Sequence, residues 1–235
     1  MGDGGGRASR GYDELERRAE PLMPAPGARH PFEPAPLVDI LLDADPERSA
    51  EALRRIVRRG ADRFVDVMLP EAARLLGEMW LDDRVGFAEV TVASARLQNA
   101  LREVDPGPEA ADAPLLAVVV PEGETHTLGA AVAAWRLRRA GASVMLLVGR
   151  TTDELETAVA GGDLGVVCVS SSAGGDGGAL APLVARLRRA SGAPVLLGGS
   201  ILEVAEAEML RAASGADGVG RDPEEALALA SGRRT

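Results

Sequence analysis

His126 is one of two histidines in the chain, and it sits in the stretch Pro121-Glu-Gly-Glu-Thr-His-Thr-Leu-Gly129. An imidazole in a loop can ligate a metal through one ring nitrogen while a neighbour holds the other. Glu122 and Glu124 flank it and can shift its protonation. Two further stretches are rich in serine and glycine: Ser170-Ser-Ser-Ala-Gly-Gly-Asp-Gly-Gly178 and Gly198-Gly-Ser200. Serine hydroxyls donate and accept, and glycines let backbone close on a ligand. Each piece alone is weakly specific. The loop at 171–178 lacks the Gly-Lys-Ser/Thr ending of a phosphate-binding loop, and the first loop lacks the dinucleotide fingerprint. Ser170, Ser171 or Ser172 with His126 would make a nucleophile and base, but no third, orienting acid is specified by spacing. The single cysteine, Cys168, lies in an apolar run and reads as a core thiol.

The elements that must position these loops follow from hydrophobic pattern. Leu115-Leu-Ala-Val-Val-Val120 is valine-rich and bounded by prolines, so it reads as a strand buried on both faces. Strands and helices then alternate. Strands are expected at 115–120, 143–148, 164–170, 194–198 and 217–219, and helices at 128–140, 152–160, 179–190, 202–213 and 223–231. Thr151 with Glu154 three residues on is a capping-box pattern, and Asp222-Pro223 with Glu225 is a second helix start. Such βα units give a doubly wound parallel sheet, with strand order 2-1-3-4-5 expected and right-handed crossovers. The three loops then meet at the carboxyl ends of the strands, where a crevice opens between strands one and three.

Upstream, residues 1–35 are rich in Gly, Pro, Arg and Glu without sustained periodicity, and read as a disordered tail that includes His30. Residues 36–104 are helical in pattern. Asp45-Pro46 reads as a helix start, Gly60 as a stop, Pro70 as a new start or kink, and Val90, Ser94, Leu97, Leu101 and Val104 as one face. Several helices of this length make a small bundle. Residues 105–113 read as a linker, and 114–235 as the α/β domain.

Net charge is −10, which disfavours direct nucleic-acid binding. One cysteine excludes an intramolecular disulfide framework and fits a reducing cytoplasm. No apolar run approaches the ~20 residues that span a bilayer, and no signal-peptide core is evident. A cytoplasmic location is expected.

Taken together, Glu124-Thr-His126-Thr-Leu-Gly129, Ser170-Ser-Ser172 and Gly198-Gly199 resemble the motif set of cobalamin-binding domains, Asp-x-His-x-x-Gly, Ser-x-Leu and Gly-Gly. Glu124 stands where the family has Asp, and the leucine of the serine motif is missing. The resemblance implies a flavodoxin-like five-stranded fold in which His126 is the lower axial cobalt ligand. It also implies that Glu124 orients His126, that Ser170 or Ser171 lines the displaced nucleotide tail with Gly198 and Gly199 packed against it, and that Gly129 and Ser172 belong to the same cofactor site. The helical half resembles the four-helix cap that precedes such domains. Trp80-Leu-Asp-Asp-Arg84, Phe87-Ala-Glu-Val-Thr91 and Arg96-Leu-Gln98 are most similar to the cobalamin-binding antirepressors of photosynthesis genes (the AerR/PpaA type). That likeness implies Trp80 and Glu89 on the cofactor's upper side, with no upper histidine ligand because Val90 follows Glu89. It further implies adenosylcobalamin or hydroxocobalamin as cofactor, and a DNA-bound repressor as protein partner. No enzymatic activity and no membrane contact are expected. The alternatives left open are a corrinoid methyl carrier of a methyltransferase system, and a haem-binding redox sensor on the same fold.

Overall fold

The computed structural model describes residues 33–109 and 111–232, so the expected tail with His30 lies almost wholly outside them. The chain divides between Asp105 and Pro106 into two units. The first contains α1 (Ala35–Leu41), α2 (Pro46–Arg59), α3 (Ala61–Arg63), a π-helical segment (Phe64–Met68), α4 (Leu69–Leu81) and α5 (Phe87–Arg102). As expected, Asp45 caps α2, its Oδ1 accepting from the Glu47 and Arg48 amides at 3.0 and 3.2 Å. Leu37, Ile40, Ile56, Phe64, Met68, Leu76 and Leu97 are almost fully buried and form this unit's core. Each stabilises by about 1.5–3 kcal/mol in area terms.

Two details of the helical unit went unread in the sequence. Gly60 ends α2, but the chain re-enters helix at once with Ala61. Pro70 follows the π-helical segment, in which the Leu69 N–H donates to the Phe64 carbonyl five residues back. The wider turn accommodates a residue that cannot donate, and the helix continues. On α5, Ala93, Leu97, Ala100 and Leu101 are the buried face, while Val90 is only partly covered.

The second unit contains β1 (Leu115–Val119), α6 (Leu128–Arg139), β2 (Ser143–Leu147), α7 (Thr152–Val159), β3 (Leu164–Ser170) and α8 (Gly177–Ser191). It continues with β4 (Val195–Gly198), α9 (Ile201–Val204), α10 (Ala207–Ser214), β5 (Gly218–Val219) and α11 (Pro223–Ser231). The five strands are all parallel, in the order β2-β1-β3-β4-β5. This is the flavodoxin-like arrangement expected from the alternation of elements.

Along β1 the side chains alternate between two cores. Ala117 and Val119 join Val167, Val169, Leu183 and Leu187, whereas Leu116 and Val118 join Val166, Ala134 and Ala230 on the other face. Thr151 and Glu154 form the capping box: the Thr151 amide donates to Glu154 Oε2 at 2.8 Å, and the Glu154 amide to Thr151 Oγ1 at 3.3 Å. The single helix expected at 202–213 is instead two, α9 and α10, because Ala205 is extended (φ −140°, ψ 152°). Asp222 makes no side-chain cap for α11, and Glu225 reaches past it to the Arg221 amide at 3.2 Å. Cys168 is partly buried in β3, and burial pushes its thiol up to about 12. A neutral thiol there is a packing residue and not a nucleophile.

Candidate functional site

The first loop begins with a tight turn. The Glu124 amide donates to the Pro121 carbonyl at 3.1 Å, and Gly123 has φ +83°, as the third position of a type II turn requires. This turn places two carboxylates on either side of β1's end. Glu124 reaches toward the β3 side: its Oε2 accepts from the Ser172 amide at 2.9 Å. Glu122 reaches toward the β2 side, where its Oε2 accepts from the Thr152 amide at 3.2 Å.

The other oxygen of Glu124 holds His126. Oε1 accepts from the His126 amide at 2.8 Å and lies 2.7 Å from Nδ1 of the ring. Burial alone would raise the Glu124 carboxyl above its ordinary value. Hydrogen bonds from the His126 amide, the Ser172 hydroxyl and amide and the His126 ring outweigh it and hold the group at about 2. An ionised carboxylate only accepts, so the proton between the two groups sits on Nδ1. In the neutral ring this tautomer leaves the lone pair on Nε2. The Glu124 side chain is only 11% exposed whereas that of His126 is 75% exposed. A fixed carboxylate thus presents an open imidazole nitrogen.

Loop three (170–178, after β3) and loop four (198–200, after β4) are knit together beside it. Ser170 pairs in register with Gly198, the Ser171 amide donates to the Gly198 carbonyl at 3.0 Å, and the Ile201 amide donates to the Ser171 carbonyl at 3.2 Å. The Ala173 amide donates to Ser200 Oγ at 3.1 Å. Gly199 has φ +98°, and a Cβ there would lie 2.3 Å from the Ser171 carbonyl oxygen. No other residue type fits between these loops without moving one of them.

Of the residues picked out in sequence, Glu124, His126 and Ser172 are joined directly, and Ser170 and Ser171 are joined to Gly198 and Gly199. Gly129 stands in the first turn of α6, where an added Cβ would meet nothing within 4 Å. Trp80 and Glu89 belong to the helical unit. Trp80 is 50% exposed near the end of α4, and Glu89 Oε2 accepts from the Gly86 amide at 2.7 Å, closing the start of α5. Trp80 is accordingly not a core aromatic of this unit. The contacts of Glu122 and Ser200 went unread, since they connect loops distant in sequence.

A cavity of about 700 Å³ lined by Arg188, Gly192, Pro194, Asp217 and Leu229 lies at the opposite, amino ends of β4 and β5. Its two charged residues already pair with each other at 2.9 Å. The clamped histidine and the glycine-bearing loops lie at the carboxyl ends of the strands. There, no group of three or more His, Cys, Asp or Glu is placed to hold a metal ion among the described residues. One imidazole nitrogen with a carboxylate behind it suits a metal that brings its own equatorial ligands. The donor set therefore fits a corrin-borne cobalt.

Comparison with known proteins bears on this site. Residues 114–228 match the family model of the B12 binding domain. The matched residues run from β1 through most of α11 and include His126 and its supporting loops. The chain is 44% identical over 84 residues to an uncharacterised 20.5 kDa protein of the bchF–crtJ intergenic region of Rhodobacter capsulatus. That match takes in 34% of this chain and 44% of the relative, so it spans less than half of the relative's length. Among solved structures, a cobalamin-binding protein from Desulfitobacterium hafniense is similar at 16% identity and TM-score 0.42, covering 87% of this chain and 98% of that one. The methanol:cobalamin methyltransferase complex MtaBC from Methanosarcina barkeri matches at 16% identity and TM-score 0.43, covering 93% of this chain and 83% of that one. No helix among the described residues is long and apolar enough to cross a membrane.

Proposed function

We propose that this protein binds cobalamin through His126 and acts as a light- or redox-responsive regulator of transcription through a protein partner. The observation that carries the cofactor assignment is the clamp on His126, with Nδ1 held by Glu124 and Nε2 presented at the carboxyl end of β1. His126 Nε2 would serve as the lower axial donor, and Glu124 would keep the ring in that tautomer. Ser170, Ser171, Ser172, Gly198 and Gly199 would line the nucleotide tail. Bound cobalamin supplies a light-labile cobalt–carbon bond, or a cobalt centre whose upper ligand follows redox state. A regulator uses such a change by binding its partner differently in the two states.

Similarity to a protein encoded between bchF and crtJ supports the link to photosynthesis-gene antirepressors already suggested by the phrases around Trp80 and Phe87. The net charge of −10 favours a protein partner over direct DNA contact. Haem fits less well. The first and third loops carry Glu122, Glu124 and Asp176 and neither arginine nor lysine, so propionates would find like charge.

The test is an absorption spectrum of protein incubated with adenosylcobalamin in the dark, desalted, and then illuminated. Retained corrinoid with a light-dependent spectral change is the expected result. Retained corrinoid with methylation by a methyltransferase, and no response to light, would make the chain a methyl carrier. A haem band with no retained corrinoid would replace the cofactor assignment.

A further inference from the structure

We infer that Glu122 is a second positioning residue for His126, fixing the histidine loop from the side opposite Glu124. The inference rests on the cobalamin reading for its ligand, but its geometry stands apart from it. β1 lies between β2 and β3 in the sheet. The loop that leaves β1 therefore has a neighbour on each flank: the start of α7 after β2, and the third loop after β3. The turn at Pro121–Glu124 sends one glutamate to each. Glu124 takes the Ser172 amide at 2.9 Å, and Glu122 takes the Thr152 amide at 3.2 Å.

Thr152 is the first residue of α7, so its amide has no partner within the helix. The Thr151–Glu154 capping box closes on the Thr151 and Glu154 amides and leaves the Thr152 amide to Glu122. A carboxylate at a helix amino terminus is also favoured by the peptide dipoles. This contact links residues 30 positions apart and is the mirror of the Glu124 clamp. With one strap the loop can pivot about the Glu124–Ser172 contact. With both it is held across its base, and the direction of His126 Nε2 is set.

A structural cap and a positioning role predict different things. The test uses full-length, 15N-labelled wild type, Glu122→Ala, Glu122→Gln and, as a control, His126→Ala. Hydroxocobalamin affinity, exchange of the Thr152 amide, and the His126 ring nitrogen shifts are measured for each. Glu122→Ala is expected to speed Thr152 exchange, change the His126 ring shifts in the cofactor-free protein, and weaken hydroxocobalamin binding about threefold to tenfold. That loss is at or below the lower end of the range for outer-shell partners of metal ligands. Glu122→Gln keeps an acceptor oxygen and should restore most of the affinity.

Faster Thr152 exchange with unchanged ring shifts and unchanged affinity would reduce Glu122 to a helix cap and overturn the inference. If the wild type itself does not bind hydroxocobalamin, the cobalamin reading fails. The positioning of His126 is then decided by the ring shifts alone, and unchanged shifts in Glu122→Ala would refute it.

Discussion

The Ser172 amide donates to Glu124 Oε2 at 2.9 Å across 48 residues of chain, while the other oxygen of the same carboxylate holds His126. One side chain therefore ties the orientation of the imidazole to the position of the third loop. A displacement of that loop would reach His126 through this carboxylate.

This carboxylate has a signature in acid. Its folded value of about 2 lies below the ordinary 4.5, so its contribution is present above pH 4.5 and is lost as pH falls through about 2. Allowing for water at the site's edge, roughly 1–2 kcal/mol is at stake. The acid limb of chemical-denaturation stability between these pH values should flatten in Glu124→Gln. A limb identical to wild type would show that the clamp is not formed in solution.

His126→Ala should abolish retention of cobalamin through desalting and leave the cofactor-free protein's melting temperature within about 2 °C. The small effect follows from the exposure of the ring, since surface substitutions are usually within about 0.5 kcal/mol. Equal cobalamin retention by the variant would remove His126 from the axial role.

Gly199→Ala should be severe. The new methyl group would lie 2.3 Å from the Ser171 carbonyl oxygen at a backbone φ of +98°, so loops three and four must separate. A loss of about 2 kcal/mol or more in urea unfolding is expected, together with weakened cobalamin binding. A variant as stable as wild type would mean that the loops are not packed as described.

Trp80→Ala should cost about 1–3 kcal/mol, less than truncation of a core aromatic, because half of the residue is already in solvent. Its expected effect is on the light-minus-dark spectrum of protein loaded with adenosylcobalamin, with loading itself largely kept. A large drop in melting temperature with unchanged photolysis would assign the ring to packing.

Much of this was legible in the sequence for physical reasons. Valine-rich runs alternating with capped helical segments leave few topologies, and strand order followed from the commonest of them. The pairing of Glu124 with His126 is local, two residues apart, and so could be read from the motif. The Ser172, Thr152 and Ser200 contacts could not, because they depend on which loops the strand order brings together. Local breaks were also hidden. The split between α9 and α10 carries neither glycine nor proline at Ala205-Glu206, and the π-helical turn before Pro70 depends on packing Phe64, Val65 and Met68 inward together.

The parallel sheet also sets an order of events during synthesis. β1 and its histidine leave the ribosome before β3 exists, and the amide that anchors Glu124 lies 48 residues further on. Until that segment has been made and has docked beside β1, the imidazole hangs from a loop with no fixed direction. Parallel pairing over such separations is slow compared with helix formation. A nascent chain accordingly offers no finished seat for a bound group, and capture must wait for the C-terminal strands.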